Sequence, residues 1–129
     1  MSSRIHTLIA GHGSFSQGLL AAAEKIVGKQ EGVACISNDS MGLADIVEKI
    51  KRVLTKANNR VYVFIDLLGG SCFTACSALT SENHSAVFIA GVNLPMLVTY
   101  LSYRERLSGE DLLRKTLEAG QRGIERICM

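Results

Sequence analysis

The sequence predicts an α/β fold, doubly wound, with a mainly parallel four-stranded sheet flanked by helices. Short apolar runs alternate with helical patterns, in the order β-α-β-α-β-α-β-α-α. The runs are almost continuously apolar rather than alternating, as expected of parallel strands buried on both faces. No Pro/Ser-rich linker, repeat or low-complexity stretch interrupts the pattern.

The first strand is read at residues 5–10. The helix after it carries Phe15, Leu19, Leu20, Ala23, Ile26 and Val27 at spacings of three and four, with Ser14 or Ser16 as N-cap and Gly28 as stop. Val33–Ser37 is the second strand, and Asp39 after it either caps the helix that follows or faces the active edge, capping being the commoner role of Asp before a helix. That helix repeats the apolar spacing with Leu43, Ile46, Val47, Ile50, Val53 and Leu54 and places Lys51, Arg52 and Lys56 near its carbonyl end. Residues 61–66 form the third strand and Ala86–Ala90 the fourth. A third helix starts around Ser71, a fourth near Leu94 and Pro95 with Asn93 as cap, and a fifth after Ser108, where Ser108 and Asp111 resemble a capping box. Residues 124–128 read equally as a last helical turn or as an edge strand that pairs with another chain.

The 129 residues, 47% hydrophobic and 20% charged, suit one domain with a real core over residues 1–129. Fourteen basic against twelve acidic residues, with no basic run and few aromatics, speak against a nucleic-acid surface. No stretch approaches the roughly 20 apolar residues of a membrane span, and the start lacks a signal-peptide pattern. A cytoplasmic location with reduced thiols follows as the expectation.

Gly11-His12-Gly13 stands at the end of the first strand, where small neighbours strip steric cover from the imidazole and present it at a strand-to-helix turn. In a doubly wound sheet the loops after the carboxyl ends of the strands share one edge. His12, Asp66, the Gly69-Gly70-Ser71 loop and Asn93 all fall there. If the first and third strands are neighbours, as an order 2-1-3-4 would make them, their ends lie about 5 Å apart and Asp66 can reach His12. A carboxylate on one ring nitrogen fixes the tautomer and makes the other a positioned nucleophile. Gly13, Gly69, Gly70 and Ser71 supply backbone N–H groups and a hydroxyl at a helix start, a cradle for an anion. Nucleophile, orienting carboxylate and anion cradle together fit phosphoryl transfer better than acyl chemistry, since no second base is evident.

Three segments carry a family resemblance: Ala10-Gly11-His12-Gly13-Ser14-Phe15-Ser16-Gln17-Gly18, Phe64-Ile65-Asp66-Leu67-Leu68-Gly69-Gly70-Ser71 and Ala90-Gly91-Val92-Asn93-Leu94-Pro95-Met96-Leu97. In this order they resemble the mannose/fructose-family enzyme IIA component of the bacterial phosphoenolpyruvate-dependent sugar phosphotransferase system. The resemblance implies that His12 is phosphorylated by the histidine phosphocarrier protein and passes the group to a IIB component, indirectly serving membrane IIC and IID subunits. It implies that Asp66 orients His12, that Ser71 lies near the phosphoryl group, and that Asn93 and Pro95 line the same active edge. A four-stranded parallel sheet of order 2-1-3-4 is likewise implied, with a fifth, antiparallel strand exchanged between the subunits of a homodimer, and residues 124–128 suit that exchange. The chain carries no IIB region, so the acceptor is expected on a separate polypeptide. The sugar is not legible, because the membrane subunits select it.

Cys72 departs from the family, which often has proline after Gly-Gly-Ser. A helix N-terminus can lower a thiol pKa, although a small buried residue is the commoner role for Cys72 and Cys76. His6 and His84 are expected to be structural, Met41 and Met96 to pack, and an exposed Met or Phe15 near His12 suits docking. Histidines and cysteines show no zinc spacing, and neither Gly-x-Gly-x-x-Gly nor a Walker lysine is present. No metal or cofactor is expected. Two other functions share the fold: the phosphoryl-donor subunit of dihydroxyacetone kinase, which Gly-Gly-Ser and Gly-Val-Asn-Leu-Pro disfavour, and a regulatory phosphorylation-sensing domain without onward transfer.

Overall fold

A computed structural model describes residues 4–57, 60–80 and 86–128. Its strands are β1 (Thr7–Gly11), β2 (Val33–Ser37), β3 (Val61–Ile65) and β4 (Ala86–Ala90), and its helices are α1 (Phe15–Val27), α2 (Leu43–Lys56), α3 (Ser71–Leu79), α4 (Leu94–Tyr103) and α5 (Gly109–Arg122). All strand pairings are parallel, in the order β2-β1-β3-β4. The predicted sheet and its order are therefore present. The central strands β1 and β3 are buried along their whole length, whereas the edge strands β2 and β4 are only half-buried. That difference follows from the pairing, because an edge strand has a neighbour on one side only.

The chain divides into two compact units, one of Met1–Gly18 with Gln30–Gly91, the other of Leu19–Lys29 with Val92–Met129. In the first unit, one face of the sheet presents Leu8, Ala10, Ile36, Val61, Val63 and Ile65, and Ile46 and Ile50 of α2 with Cys72, Ala75, Cys76 and Leu79 of α3 close over it. These side chains come from alternate strand positions and from three- and four-residue helical steps, the two periods on which the sequence reading rests. Burying them drives the unit together, at roughly 25 cal/mol per Å² of apolar surface removed from water.

Register decides what the strands deliver at their carboxyl ends. Ala10 lies opposite Ile65, and the Asp66 N–H donates to the Ala10 carbonyl at 3.1 Å. After β1 the chain crosses to β2 on one side and later returns to β3 on the other. The β1/β3 boundary is thus the point where strand order reverses, the place at which open α/β sheets commonly hold their functional residues.

Several capping expectations need correction. Gly42, not Asp39, is the N-cap of α2, with no side-chain cap bond. The Asp39 N–H instead donates to Ser37 Oγ at 3.1 Å, and the next residue, Ser40, takes a left-handed φ of 59°, so the loop turns once more before the helix begins. Ser108 holds the N-cap position of α5 without a side-chain bond, and Asp111 pairs with Arg114 at 3.0 Å rather than closing a capping box. Ser16 lies inside α1 and donates from Oγ to the Ile36 carbonyl at 3.2 Å, so Ser14 is the flanking residue.

In the second unit α4 packs against α5. Asn93 caps α4 as expected, accepting the Met96 N–H at 3.1 Å, and its Nδ2 donates to the Gly120 carbonyl of α5 at 2.8 Å. Residues 124–128 adopt neither a helical turn nor a paired strand within the chain, and Ile124 and Ile127 are exposed. No helix among the described residues is long and apolar enough to cross a membrane.

Candidate phosphoryl-transfer site

His12 is the first residue after β1 and Asp66 the first after β3, so the parallel register sets them side by side. Asp66 Oδ2 accepts two bonds from one residue: the His12 backbone N–H at 2.9 Å and the ring Nδ1 at 2.6 Å. Its other oxygen accepts the Leu67 N–H at 2.8 Å. An ionised carboxylate can only accept, so this geometry places the ring proton on Nδ1 and the lone pair on Nε2. Burial by itself would hinder ionisation of Asp66. The His12 side-chain bond, the His12 N–H, the His12 charge and the Leu67 N–H outweigh it, and the Asp66 pKa is lowered. The Asp66 side chain is 8% exposed and that of His12 47%, so the carboxylate is sheltered while the ring faces outward.

Around His12, close approach calls for glycine at Gly11 and at Gly70. A Cβ on Gly11 would stand 2.9 Å from the Phe15 ring and 3.2 Å from the Asp66 carboxyl carbon. A Cβ on Gly70 would stand 2.8 Å from His12 Cε1 and 3.5 Å from Nε2. The imidazole therefore lies directly against the backbone of the residue that caps α3. Gly70 provides no side-chain cap, so the first N–H groups of α3, starting at Ser71, have no intrahelical partner. With the helix dipole, such an end favours negative charge, and it lies beside the His12 ring. Gly13 and Gly69 adopt left-handed φ values of 55° and 93° in the two loops that meet here.

An imidazole held through one nitrogen by a buried carboxylate, its other nitrogen open beside a helix N-terminus, can attack a phosphorus and hold the transferred group. The family described as "PTS system fructose IIA component" matches residues 6–117.

The chain belongs to that family.

Relatives of the IIA chain include the fructose-specific EIIA component of Bacillus subtilis, 28% identical over 127 residues, 96% of this chain and 86% of that protein. The mannose-specific EIIAB component of Escherichia coli K12 is 34% identical over 125 residues, and the match spans 94% of the IIA chain but only 39% of that longer protein. Among solved structures, the phosphotransferase component EIIA of Streptococcus agalactiae is similar with a TM-score of 0.85 and 31% identity, covering 95% of this chain and 96% of that one. The IIA chain is thus a component of a sugar phosphotransferase system.

Of the residues singled out in the sequence, His12, Asp66, Gly70 and Ser71 come together in the first unit. Asn93 and Pro95 fall in the second unit, where Asn93 ties α4 to α5 and Pro95 occupies the first turn of α4. His6 engages Thr7 Oγ1 at 2.6 Å and the Glu31 carbonyl at 2.7 Å, as a structural histidine does. His84 lies outside the described residues. Phe15 is half-buried, leaning on Gly11. Burial, the Asp66 charge nearby and only a partial offset from the Ser71 hydroxyl push the Cys72 thiol up, opposite to the lowering that a helix start can cause. Cys76, buried beside it, is pushed up to about 12.

Two features escaped the sequence reading. Leu67 and Leu68, 46% and 72% exposed, form an apolar lip directly after Asp66. Asn38, after β2, donates from Nδ2 to Ser71 Oγ at 3.1 Å. An exposed apolar pair next to a polar site suggests docking in retrospect, but Asn38 gives no signal in sequence that separates it from Asp39.

Proposed function

We propose that the chain, as one IIA domain over residues 1–129, accepts a phosphoryl group on His12 from the histidine phosphocarrier protein and donates it to a IIB component, supporting sugar uptake through membrane IIC and IID subunits. One observation carries this reading: Nδ1 is engaged by Asp66 at 2.6 Å, while Nε2 faces away from that bond, with Gly70 and the start of α3 against the ring. In the transfer step the Nε2 lone pair forms a bond to phosphorus as the donor's phosphorus–nitrogen bond breaks. That bonding pair returns to the donor imidazole, the Nδ1 proton stays with Asp66 as acceptor, and the carboxylate offsets the charge gained by the His12 ring. Gly13, Gly69, Gly70 and Ser71 are assigned to hold the phosphoryl oxygens, a role supported for Gly70 and Ser71 by their place at the α3 N-terminus. No metal or nucleotide takes part in this scheme.

The donor and acceptor are proteins that must leave after each turnover, which suits a small contact surface around His12. Exposed Leu67 and Leu68 give such a surface its apolar centre. The protein is placed in the cytoplasm, where these partners work. A homodimer completes the proposal, with residues 124–128 as the exchanged antiparallel strand and Asn93 and Pro95 lining the active edge. The exposure of Ile124 and Ile127 supports the exchange, since a second subunit would cover them.

The test is incubation with phosphoenolpyruvate, enzyme I and the phosphocarrier protein, followed by intact-mass and acid-lability analysis. An acid-labile phosphate on the wild type and none on folded His12→Ala is expected. A folded wild-type protein that stays unlabelled overturns the reading, and a labelled protein that fails to pass the group to any IIB component points to a sensing domain.

A further inference from the structure

We propose that Asn38 is a positioning residue for phosphoryl transfer at His12, acting through the Ser71 hydroxyl. The inference rests on the phosphoryl-carrier reading of His12. Asn38 reaches the site by the sheet: its N–H donates to the carbonyl of Gly11, the last residue of β1, at 3.1 Å, and its own carbonyl accepts the Met41 N–H at 3.2 Å. Both backbone groups are therefore engaged in closing the loop, and the side chain is not needed for that. The carboxamide is directed instead across 33 positions of sequence to Ser71 Oγ, at 3.1 Å, in a half-buried setting.

A hydroxyl has one proton to donate and two lone pairs with which to accept. Asn38 Nδ2 occupies one lone pair of Ser71, which fixes the rotor and leaves its proton for another acceptor. Cys72 is the neighbouring sulfur, but a thiol that burial keeps protonated is a weak acceptor beside a phosphoryl oxygen. Ser71 opens α3 immediately after Gly70, the residue packed on the His12 ring, so a phosphoryl group on Nε2 arrives within the neighbourhood of that proton. A donor oriented in advance of the reaction stabilises the transferring charge without reorganising at the moment of transfer. Asn38 supplies that orientation from a third loop, so the ends of β1, β2 and β3 each contribute a polar side chain: His12, Asn38 and Asp66.

The experiment compares wild type, Asn38→Ala, Asn38→Asp, Ser71→Ala and the Asn38→Ala/Ser71→Ala double variant. Each is supplied with the phosphorylated histidine phosphocarrier protein, kcat and KM are measured by quenched flow, and thermal unfolding is recorded alongside. Loss of one hydrogen bond to a charged group is expected to slow Ser71→Ala about tenfold in kcat. Asn38→Ala should slow about three- to tenfold with KM unchanged, and the double variant should be no slower than Ser71→Ala, because the two residues act in series. Asn38→Asp, nearly isosteric, should be at least as slow as Asn38→Ala, since a carboxylate only accepts and draws the Ser71 proton toward itself; it carries the test if Asn38→Ala unfolds. Wild-type kcat in a folded Asn38 variant, wild-type kcat in Ser71→Ala, or additive losses in the double variant each overturn the role of Asn38 while leaving the carrier reading standing. An unlabelled wild type overturns both.

Discussion

Gly70 and His12 are packed so closely that a single methyl on Gly70 would stand 2.8 Å from the imidazole Cε1, nearer than side-chain carbons approach one another. Gly70 has φ −81° and ψ 179°, extended backbone open to any residue, so glycine is not required there for its conformation. It is required because the His12 ring rests on it.

That separation gives a direct prediction. Gly70→Ala leaves the backbone unstrained but pushes the ring off its position by a few tenths of an ångström. A displacement of about 1 Å can lower the rate of a reacting group about 10²-fold, so a few tenths of an ångström should cost less. Phosphorylation of His12 should slow about three- to tenfold on that basis, while the thermal midpoint moves by only a few degrees. Quenched-flow labelling with a parallel melting curve checks both parts, and wild-type labelling in the variant would remove the close contact from the mechanism.

Asp66→Asn keeps the shape and removes the charge. The amide can present an N–H to Nδ1, selecting the wrong tautomer, and it does not offset the charge of the phosphorylated ring. Transfer to His12 should fall about 10²-fold or more. The rate of labelling at fixed donor concentration reads this, and an unchanged rate would exclude Asp66 from the chemistry.

The same carboxyl makes stability depend on acid. Its pKa in the folded protein is below the ordinary value near 3.8, because the His12 and Leu67 donors outweigh burial. A depressed folded pKa means that the unfolded chain takes up the proton first, so Asp66 contributes stability above about pH 3.8 and loses it as pH falls through the lower folded value. The urea midpoint of wild type relative to Asp66→Asn should therefore be constant at neutral pH and shrink below pH 3.8. A difference that widens on acidification would contradict the lowered pKa.

Asn93→Ala removes a helix cap and a tie between two helices in one change. Losing the bond from Met96 N–H costs about 1 kcal/mol, and losing the donation to the Gly120 carbonyl costs a similar amount. Chemical denaturation should show a loss of roughly 2 kcal/mol by these estimates, whereas a loss of a few tenths would mean that solvent replaces both bonds.

Thiol chemistry should follow burial. Cys72 and Cys76 are buried with pKa values pushed up, that of Cys76 to about 12, while Cys128 is exposed. At pH 8 iodoacetamide should alkylate Cys128 rapidly and leave Cys72 and Cys76 untouched in the folded protein, as peptide mass mapping can establish. Fast modification of Cys72 would point instead to a thiol activated by the start of α3.

What the sequence by itself determined was local. Val33–Ser37 and Ala86–Ala90 are bounded apolar runs, and their limits in the structure coincide with those read from the pattern. His12 and Asp66 were legible as candidates because both stand at the carboxyl ends of such runs, and a histidine between two glycines with a carboxylate and a Gly-Gly-Ser loop at the same edge is more than a turn requires. Asn93 was legible as a cap because capping is a matter of three neighbouring residues. Tertiary structure decided whatever depends on residues distant in sequence. The Gly70 contact with His12 and the Asn38 bond to Ser71 span 58 and 33 positions and exist only because β2, β1 and β3 are adjacent in that order. Asp39 and Ser108 carry the right side chains for caps, yet the loop geometry at Ser40 moves the start of α2 to Gly42, and Ser108 makes no side-chain bond. A hydrogen bond needs its partners within about 3 Å, and composition and periodicity place residues on faces and at ends but do not measure that distance.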